Sequence, residues 1–386
     1  MEEILRASWS RYVRDRYETL LTIVIPVYNL HSYLTPCLDS ITQQKLEDIE
    51  IVVVDGASTD DSADILWRRA AQDPRITAIC TGRIGPGRAR NLGAELAMGE
   101  YIWFVDGDDA VAPDCLTAVA DRLELLRPDV LLLDHEELHP SGRVEPGSGH
   151  RLVARDTAAC FPVAEHPWVT EFSMASWNKV IRRGFFLSRP VQFVADWPHE
   201  DVPVSCQLLL DAAKLSLLNQ VCYLHRRERP GSAMSEAGKR HFNILDAYET
   251  VLTTVRSRFD AADPSVTPTV WLAFFQRAIW HYTTIFDTGS EGNSKFLARR
   301  SISAADRREF YRQMHRHFMS YAPPIYRYPN GFRGLKFRLI RMNAYWAYCA
   351  LSPANKARVR AESAIMALQR STLRTTANMR RRLTSR

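Results

Sequence analysis

The sequence has few of the features that mark secreted, zinc-binding or membrane-spanning proteins. Its seven cysteines are scattered among 386 residues, and none of them forms a CxxC pair. Neither a disulfide framework nor a zinc site is indicated, which favours a reducing compartment. No apolar run approaches the roughly 18 residues of a spanning helix. Residues 1–20 hold acids and no apolar segment of signal-peptide length, so we expect a cytoplasmic protein that does not cross a membrane.

Acidic residues are almost absent from one end of the chain. The whole chain carries 50 Lys and Arg against 44 Asp and Glu, a net charge of +6. Residues 333–386 contain 13 of the basic residues and a single acid, a net of +12, which leaves −6 for residues 1–332. A basic segment attached to an acidic body indicates contact with an anionic surface or polymer.

Short apolar runs alternate with helical patterns over the first 135 residues. The runs are Leu21–Val27, Ile49–Val54, Arg75–Cys80, Tyr101–Val105 and Val130–Leu133. Runs of this length, rich in β-branched residues, suit strands that are buried on both faces of a parallel sheet. The alternation predicts an α/β fold with a Rossmann-like, mostly parallel sheet flanked by helices.

Beyond residue 135 the alternation fails, and beyond about residue 236 the pattern becomes helical. We divide the chain into an N-terminal helix at 1–20, a main α/β unit at 21–235, a helical region at 236–320 and a basic amphipathic tail at 333–386. A linker containing Pro and Gly joins the last two.

Polar residues follow four of the predicted strands. Because ligands bind at the carboxyl ends of strands in an open parallel sheet, these residues are expected to share one site. The segments are Pro26–Asn29, Asp55–Asp60, Gly82–Asn91 and Asp106–Asp109.

The last segment places three carboxylates within four residues, where they repel one another. A divalent cation relieves that repulsion, and Mg²⁺ typically takes one or two carboxylates together with substrate phosphates. The alternative is a solvated acidic turn. The spacing does not match an EF-hand calcium loop.

The glycine-rich segment resembles a dinucleotide fingerprint only in part. Arg90 stands at the third glycine position, and the loop follows the third strand rather than the first. We interpret the glycines as allowing close backbone approach to a ligand, with Arg88 and Arg90 facing its phosphates. The alternative is an ordinary helix start with exposed arginines.

Two later segments contain further candidate residues. Glu200 and Asp201 begin a predicted helix, where an acid either works chemically or simply complements the helix dipole. Upstream, Trp177 and Lys179 flank an asparagine, and Trp177 is alternatively a core residue.

Taken together, these residues closely resemble the inverting family 2 glycosyltransferases of the GT-A fold. The matching motifs are TIVIPVYN at Thr22–Asn29, VVVDGASTD ending at Asp60, GxxxARNxG at Gly85–Gly93, DxD at Asp106–Asp108 and the ED pair Glu200–Asp201. The resemblance covers about 21–230. It implies a nucleotide-binding half at 21–110 and an acceptor half at 111–235, followed by the helical region.

The resemblance also assigns roles to individual residues. It implies that the donor nucleotide is bound by Pro26, Val27, Tyr28, Asn29, Asp55, Arg90, Asp106 and Gly107. Asp108 is implied as the ligand of Mg²⁺ or Mn²⁺, and Asp201 as the catalytic base, with Glu200 beside it. His225 is a further candidate for the metal or the diphosphate, its alternative being a structural role.

A narrower resemblance is to transferases that build bacterial capsule and teichoic-type polymers. Those proteins often show WNK-like and RPGS-like segments, here Trp177–Lys179 and Arg229–Ser232. Contacts with the acceptor or with phosphates are therefore expected from Trp177, Lys179, Arg227 and Arg229. Ala57 departs from the commoner Asp or Cys of the second-strand motif, which leaves the donor base open, although a UDP-sugar is favoured.

These observations predict a metal-dependent, inverting glycosyltransferase that moves a hexosyl or N-acetylhexosaminyl group to a hydroxyl of a cell-surface glycan or polyol-phosphate polymer. The alternatives are nucleotidyl transfer, a catalytically idle assembly factor that kept the fold, and nucleic-acid binding through the tail, which is not expected. The tail either lies on the inner face of an anionic membrane, packs on the body, or contacts another copy in a homo-oligomer.

Overall fold

The computed structural model describes residues 19–147, 155, 158–190, 192–193, 198–227, 239–288 and 302–351. Most of the predicted N-terminal helix, Arg229 with the RPGS-like segment, and the tail beyond Leu351 lie outside the described residues.

The strands of the described residues form one mixed sheet. They are β1 Leu21–Val27, β2 Ile49–Asp55, β3 Ile76–Cys80, β4 Tyr101–Phe104, β5 Ala110–Val111, β6 Val130–Leu138, β7 Val144–Pro146, β8 Lys179–Arg182 and β9 Leu215–Arg226. Their order is β3-β2-β1-β4-β8-β6-β9-β5, with β7 paired to β6. The α/β fold class predicted from the alternating runs is confirmed.

The two halves of the sheet differ in strand direction. Strands β1 to β4 are all parallel, with Val24 of β1 opposite Val52 of β2 and Phe104 of β4. Strand β8 then runs antiparallel to both of its neighbours, β4 and β6, whereas β6 and β9 are parallel. The sheet is therefore parallel in the first half and mixed in the second, because the chain inserts β8 in the reverse direction.

Helices cover both faces of this sheet. Those of the main unit are α1 His31–Thr42, α2 Ser62–Gln72, α3 Pro86–Leu96, α4 Leu116–Leu126, α5 Arg183–Leu187 and α6 Asp201–Asp211. Alternate strand residues face opposite sides: Ile23 and Ile25 belong to the core under α1 and α4, while Val24 belongs to the core on the other side. Burial on both sides explains why the strands read as continuous apolar runs.

The C-terminal helices extend the second of these cores. They are α7 Asn243–Asp260, α8 Pro268–Thr288, α9 Ala304–Tyr321, α10 Gly331–Arg341 and α11 Tyr345–Ala350. Their buried aromatic residues, such as Phe274 and Tyr311, belong to the same apolar cluster as Val24. The helical region thus shares a core with the sheet. Among the described residues, no helix is both long and apolar enough to span a bilayer.

The described part of the basic tail packs on the protein. Phe337, Ile340 and Tyr348, from the predicted apolar face, are buried in the core of the helical region. Lys336 is also buried and is paired with Asp287. Over residues 333–351, most of the apolar face therefore packs on the body of the protein, as one of the three alternatives predicted. Trp346 is the exception and is 70% exposed.

Candidate active site

The loops that follow β1 and β2 are bound to each other at the carboxyl edge of the sheet. Asn29 has left-handed backbone (φ 53°), and its side-chain oxygen accepts a hydrogen bond from the Thr59 amide at 2.8 Å. Asp55 accepts hydrogen bonds from the Ser58 amide, at 3.0 Å, and from the Ser58 hydroxyl. Ser58 in turn accepts one from the Asn29 amide at 2.9 Å. Asn29 and Asp55 thus hold these two loops together at this edge of the sheet.

Tyr28 presents the accessible aromatic surface of this edge. Its side chain is 38% exposed, and the Arg83 guanidinium lies 5.3 Å from its ring centroid. The preceding Pro26 and Val27 are buried within β1. Of the TIVIPVYN motif, Tyr28 therefore offers an accessible ring at this edge, whereas Pro26 and Val27 offer backbone; stacking of Tyr28 on a base stays a prediction.

Arg90 connects the DxD turn, Asp106–Asp109, to the acids that begin α6. One guanidinium nitrogen lies 2.7 Å from a carboxylate oxygen of Asp106, and another lies 2.6 Å from Glu200. Arg90 is only 7% exposed. Burial alone lowers the pKa of Arg90, but the carboxylates of Asp106 and Glu200 more than offset it, so the pKa stays raised and the group is a fixed cation.

The close packing of α3 on β1 sets the position of Arg90. A Cβ atom added to Gly93 would lie 2.3 Å from a methyl group of Val24, so only glycine permits this approach. The last glycine of the GxxxARNxG motif therefore has a packing role.

The two acids that begin α6 lie in a desolvated setting. Burial raises the pKa of Glu200 to about 7, although Arg90 opposes the shift. Burial also raises the pKa of Asp201 to about 6, opposed by Arg90 and Lys179. A carboxylate with a pKa near neutrality is suited to accept a proton at physiological pH.

Two histidines of the helical region contact His199, which lies just before α6. His199 has left-handed backbone (φ 65°), and its ring centroid lies 5.5 Å from that of His241 and 5.6 Å from that of His281. Burial lowers the pKa of His199 to about 3, so the ring is neutral. The helical region therefore helps to place the residue that precedes Glu200.

Lys179 lies beneath the acids and not on an open surface. Its ammonium is fully buried and donates to the carbonyls of Ser173 and Ala175, at 3.1 and 2.8 Å, and to the Asn178 side chain at 2.7 Å. Burial lowers the pKa of Lys179 to about 7, against the opposing charge of Asp201. In this structure Lys179 contacts protein oxygens, which does not agree with a direct acceptor contact.

Trp177 and His225 belong to an aromatic stack. The Trp177 ring lies 4.5 Å from that of Tyr223, at an interplanar angle of 6°, and 5.3 Å from that of His225. Trp177 is 7% exposed, whereas His225 is half-buried at the end of the stack. Arg227 lies further out, 3.3 Å from Glu137 and largely exposed.

The comparisons with known proteins agree with this geometry. A family model for glycosyl transferase family 2 matches residues 22–136. Residues 22–136 are therefore similar to glycosyl transferase family 2. The resemblance identified from the motifs is thereby confirmed, and the matched segment contains the β1, β2 and Arg90 motifs and the DxD turn.

Relatives of the family 2 segment extend the similarity further along the chain. An uncharacterized glycosyltransferase of Bacillus subtilis, EpsJ, is 30% identical over 217 residues, covering 55% of this chain and 62% of that protein. Poly(ribitol-phosphate) beta-N-acetylglucosaminyltransferase TarS of Staphylococcus aureus is 27% identical over 234 residues, covering 60% and 39%. The chain thus spans less than two thirds of the length of either relative.

A solved structure matches most of the fold. The crystal structure of S. aureus TarS residues 1–349 in complex with UDP-GlcNAc aligns with a TM-score of 0.64 and 18% identity. The alignment covers 88% of this chain and 92% of that one, so the shared fold includes helices beyond the family 2 segment.

The family 2 site is not a self-contained metal centre. Within the described parts of the chain, no three or more His, Cys, Asp or Glu side chains form a group that could hold a metal ion. Asp108 is half-buried in the DxD turn. Burial lowers the pKa of His225, which favours the neutral imidazole that binds metals. These residues suit a cation that takes its remaining ligands from a diphosphate.

Proposed function

We propose that the protein transfers a sugar, with inversion, from a nucleotide-diphosphate donor to a hydroxyl of a cell-surface glycan or polyol-phosphate polymer. The observation that carries this proposal is Arg90, which pairs with the donor-side Asp106 and the base-side Glu200. The leaving diphosphate and the attacking hydroxyl are thereby expected within one cluster of charges. A UDP-linked donor is favoured by the fold shared with the TarS complex.

Asp201 acts as the general base. As the acceptor oxygen attacks the anomeric carbon, its proton passes to the Asp201 carboxylate, and such base catalysis contributes roughly 10²–10⁴-fold. The bond from that carbon to the diphosphate breaks in the same displacement. Because one displacement occurs without an enzyme nucleophile, the anomeric configuration inverts.

Arg90 and Asp108 act on the leaving group. The guanidinium of Arg90 is held in place before reaction, so it stabilises the charge that develops on the diphosphate without rearrangement. Mg²⁺ or Mn²⁺ held by Asp108, with His225 as a further ligand, would supply additional positive charge when bound.

A donor screen tests the proposed function. We expect the purified protein to release UDP from a UDP-sugar in the presence of Mn²⁺ and a polyol-phosphate acceptor, and GDP- and CDP-linked donors to react much more slowly. Thermal shift with the same donors reports binding separately. Binding without release for every donor and acceptor would favour the alternative of an idle assembly factor.

The outer face of the C-terminal helices is proposed as a membrane contact. Leu335, Met342 and Trp346 are 42%, 73% and 70% exposed, and the Arg308 guanidinium lies 5.0 Å from the Trp346 ring centroid. Residues 302–351 hold nine Lys and Arg against two acids. Exposed apolar side chains among cations suit an anionic bilayer surface, because a soluble anionic polymer offers no place for the apolar groups.

Flotation with phosphatidylglycerol vesicles tests this contact in the full chain. Replacing Met342 and Trp346 together by Ser should lower the floated fraction several-fold. Leu125→Ser, on the helix that covers the other face of the sheet, is the control and should float like the wild type. Equal flotation of all three proteins would refute the contact.

A further inference from the structure

The DxD turn is attached to β9 by a pair of buried side chains. Its four residues, Asp106–Asp109, connect β4 to β5. The Tyr223 hydroxyl accepts a hydrogen bond from the Asp106 amide at 3.1 Å and donates one to a carboxylate oxygen of Asp109 at 2.7 Å. One hydroxyl therefore bridges the first and last residues of the turn.

A second connection lies three residues along β9. The other carboxylate oxygen of Asp109 accepts a hydrogen bond from the Arg226 amide at 2.6 Å. The Arg226 side chain donates to the carbonyl of Asp108 at 2.8 Å. Asp109 is 2% exposed, so its carboxylate is used by β9 and is not available to a ligand. The third acid of the DxD turn thus differs in role from Asp106 and Asp108.

The position of the Tyr223 hydroxyl is itself fixed by packing. The side chain is fully buried, and its ring stacks on Trp177. Trp177 is held in turn, since its carbonyl accepts a hydrogen bond of 2.7 Å from the Trp103 indole of β4. The hydroxyl therefore belongs to an aromatic layer that connects β4, the segment just before β8, and β9.

The opposite side of the turn has no free space. A Cβ atom on Gly107 would lie 2.9 Å from a methyl group of Leu30 and 3.2 Å from the Pro26 carbonyl. The backbone of the turn is thus confined between the β1 loop and β9.

We propose that Tyr223 and Asp109 are positioning residues, which hold the DxD turn so that Asp106 and Asp108 meet the donor diphosphate and its cation. This inference rests on the proposed function. Preorganised ligands spare the site the cost of ordering the turn when the donor binds. Tyr223 and Asp109 touch neither donor nor cation, and they act only through the turn.

Tyr223→Phe tests the inference, because it keeps the ring and its stack on Trp177 but removes both hydrogen bonds. We expect the affinity for UDP in the presence of Mn²⁺, measured by titration calorimetry, to fall about tenfold, the effect of losing a buried hydrogen bond. The Mn²⁺ concentration for half-maximal transfer should rise by a similar factor, while the thermal midpoint changes little.

Tyr248→Phe is the matched control. Its buried hydroxyl lies 3.2 Å from His281 in the helical region, and its loss should leave UDP–Mn²⁺ affinity unchanged. Asp109→Asn provides a second variant should Tyr223→Phe fold poorly, and it should weaken the same affinity. Wild-type affinity in a folded Tyr223→Phe or Asp109→Asn protein would overturn the inference. A wild-type protein that binds none of UDP, GDP and CDP in the presence of Mn²⁺ would instead overturn the proposed function.

Discussion

The two halves of the main α/β unit, predicted to bind the nucleotide (21–110) and the acceptor (111–235), build their parts of the candidate site in different ways. In the nucleotide-binding half, the site residues follow parallel strands, and the loops bind one another directly, as Asn29 and Thr59 do. In the acceptor half, the site consists of buried charges at the start of α6 and on β8, held by packing from the helical region. The first arrangement follows from the order of strands and loops along the chain. The second depends on contacts between segments that are far apart in the sequence.

This difference has an energetic consequence. The loops of the first half are near the surface, where lost hydrogen bonds are replaced by water at a small cost. Lys179 and Glu200 of the second half have little access to water, so each depends on a charged or polar partner. Loss of a buried partner in the acceptor half is therefore expected to cost more stability than loss of a hydrogen bond in these surface loops.

Asp201→Asn should disable the acceptor half alone, with the largest effect. The amide cannot accept the acceptor's proton, so kcat should fall by about 10²–10⁴-fold, while UDP–Mn²⁺ affinity stays the same. Steady-state kinetics and calorimetry measure the two quantities. Asp121→Asn, at an exposed position on α4, is the control. Near-normal turnover of Asp201→Asn would show that another group is the base.

Metal removal should disable the nucleotide-binding half alone. In excess EDTA we expect transfer to stop and the affinity for UDP to fall, because Asp108 and the diphosphate then repel each other. Mg²⁺ or Mn²⁺ should restore both. The control is the thermal midpoint in the absence of donor, which should not change. Full activity in the chelator would exclude a role for the cation.

Arg90→Met should affect both halves. Removing one partner of a buried ion pair leaves uncompensated carboxylates, so the free energy of unfolding should fall by about 3–5 kcal/mol. Both kcat and UDP affinity should decrease in the folded fraction. Arg68→Met is the control, since Arg68 is exposed on α2 and no ligand contact is predicted for it. A decrease in kcat without loss of UDP affinity would show that Arg90 does not contribute to donor binding.

Lys179→Met should have the smallest effect, visible in the pH profile. Asp201 must be ionised to act, so activity falls as pH decreases through its pKa, which lies at about 6. Removing the Lys179 charge raises that pKa, so the acid limb of kcat/KM should move upward by up to about one pH unit. Lys214→Met, at an exposed site, should leave the profile in place. An unchanged acid limb would show that the charge of Lys179 does not influence the pKa of Asp201.

The sequence predicted the first half of the site well and the second half less well. Apolar runs and polar strand ends sufficed for β1 to β4, because parallel strands bring consecutive loops to one edge. The reverse insertion of β8 left no local signal, and it is what buries Lys179. The role of Asp109 was hidden for the same reason, since its partner Tyr223 is 114 residues away.

The apolar face of the tail was recognised, but its partner was not. Phe337 and Ile340 have the spacing of an amphipathic helix, which is the same for a helix on a membrane and for one on a protein core. Only the position of α9 and α11 shows that these residues pack inward.

The bridge made by Arg90 restricts how such a protein can be recombined. Its partners are 16 residues away, at Asp106, and 110 residues away, at Glu200. A chimera that joins the first half of one relative to the second half of another keeps the bridge only if the first parent supplies the arginine and the aspartate, and the second supplies an acid before the predicted base. Exchange of halves between donor and acceptor specificities is therefore possible within that group of sequences and blocked outside it.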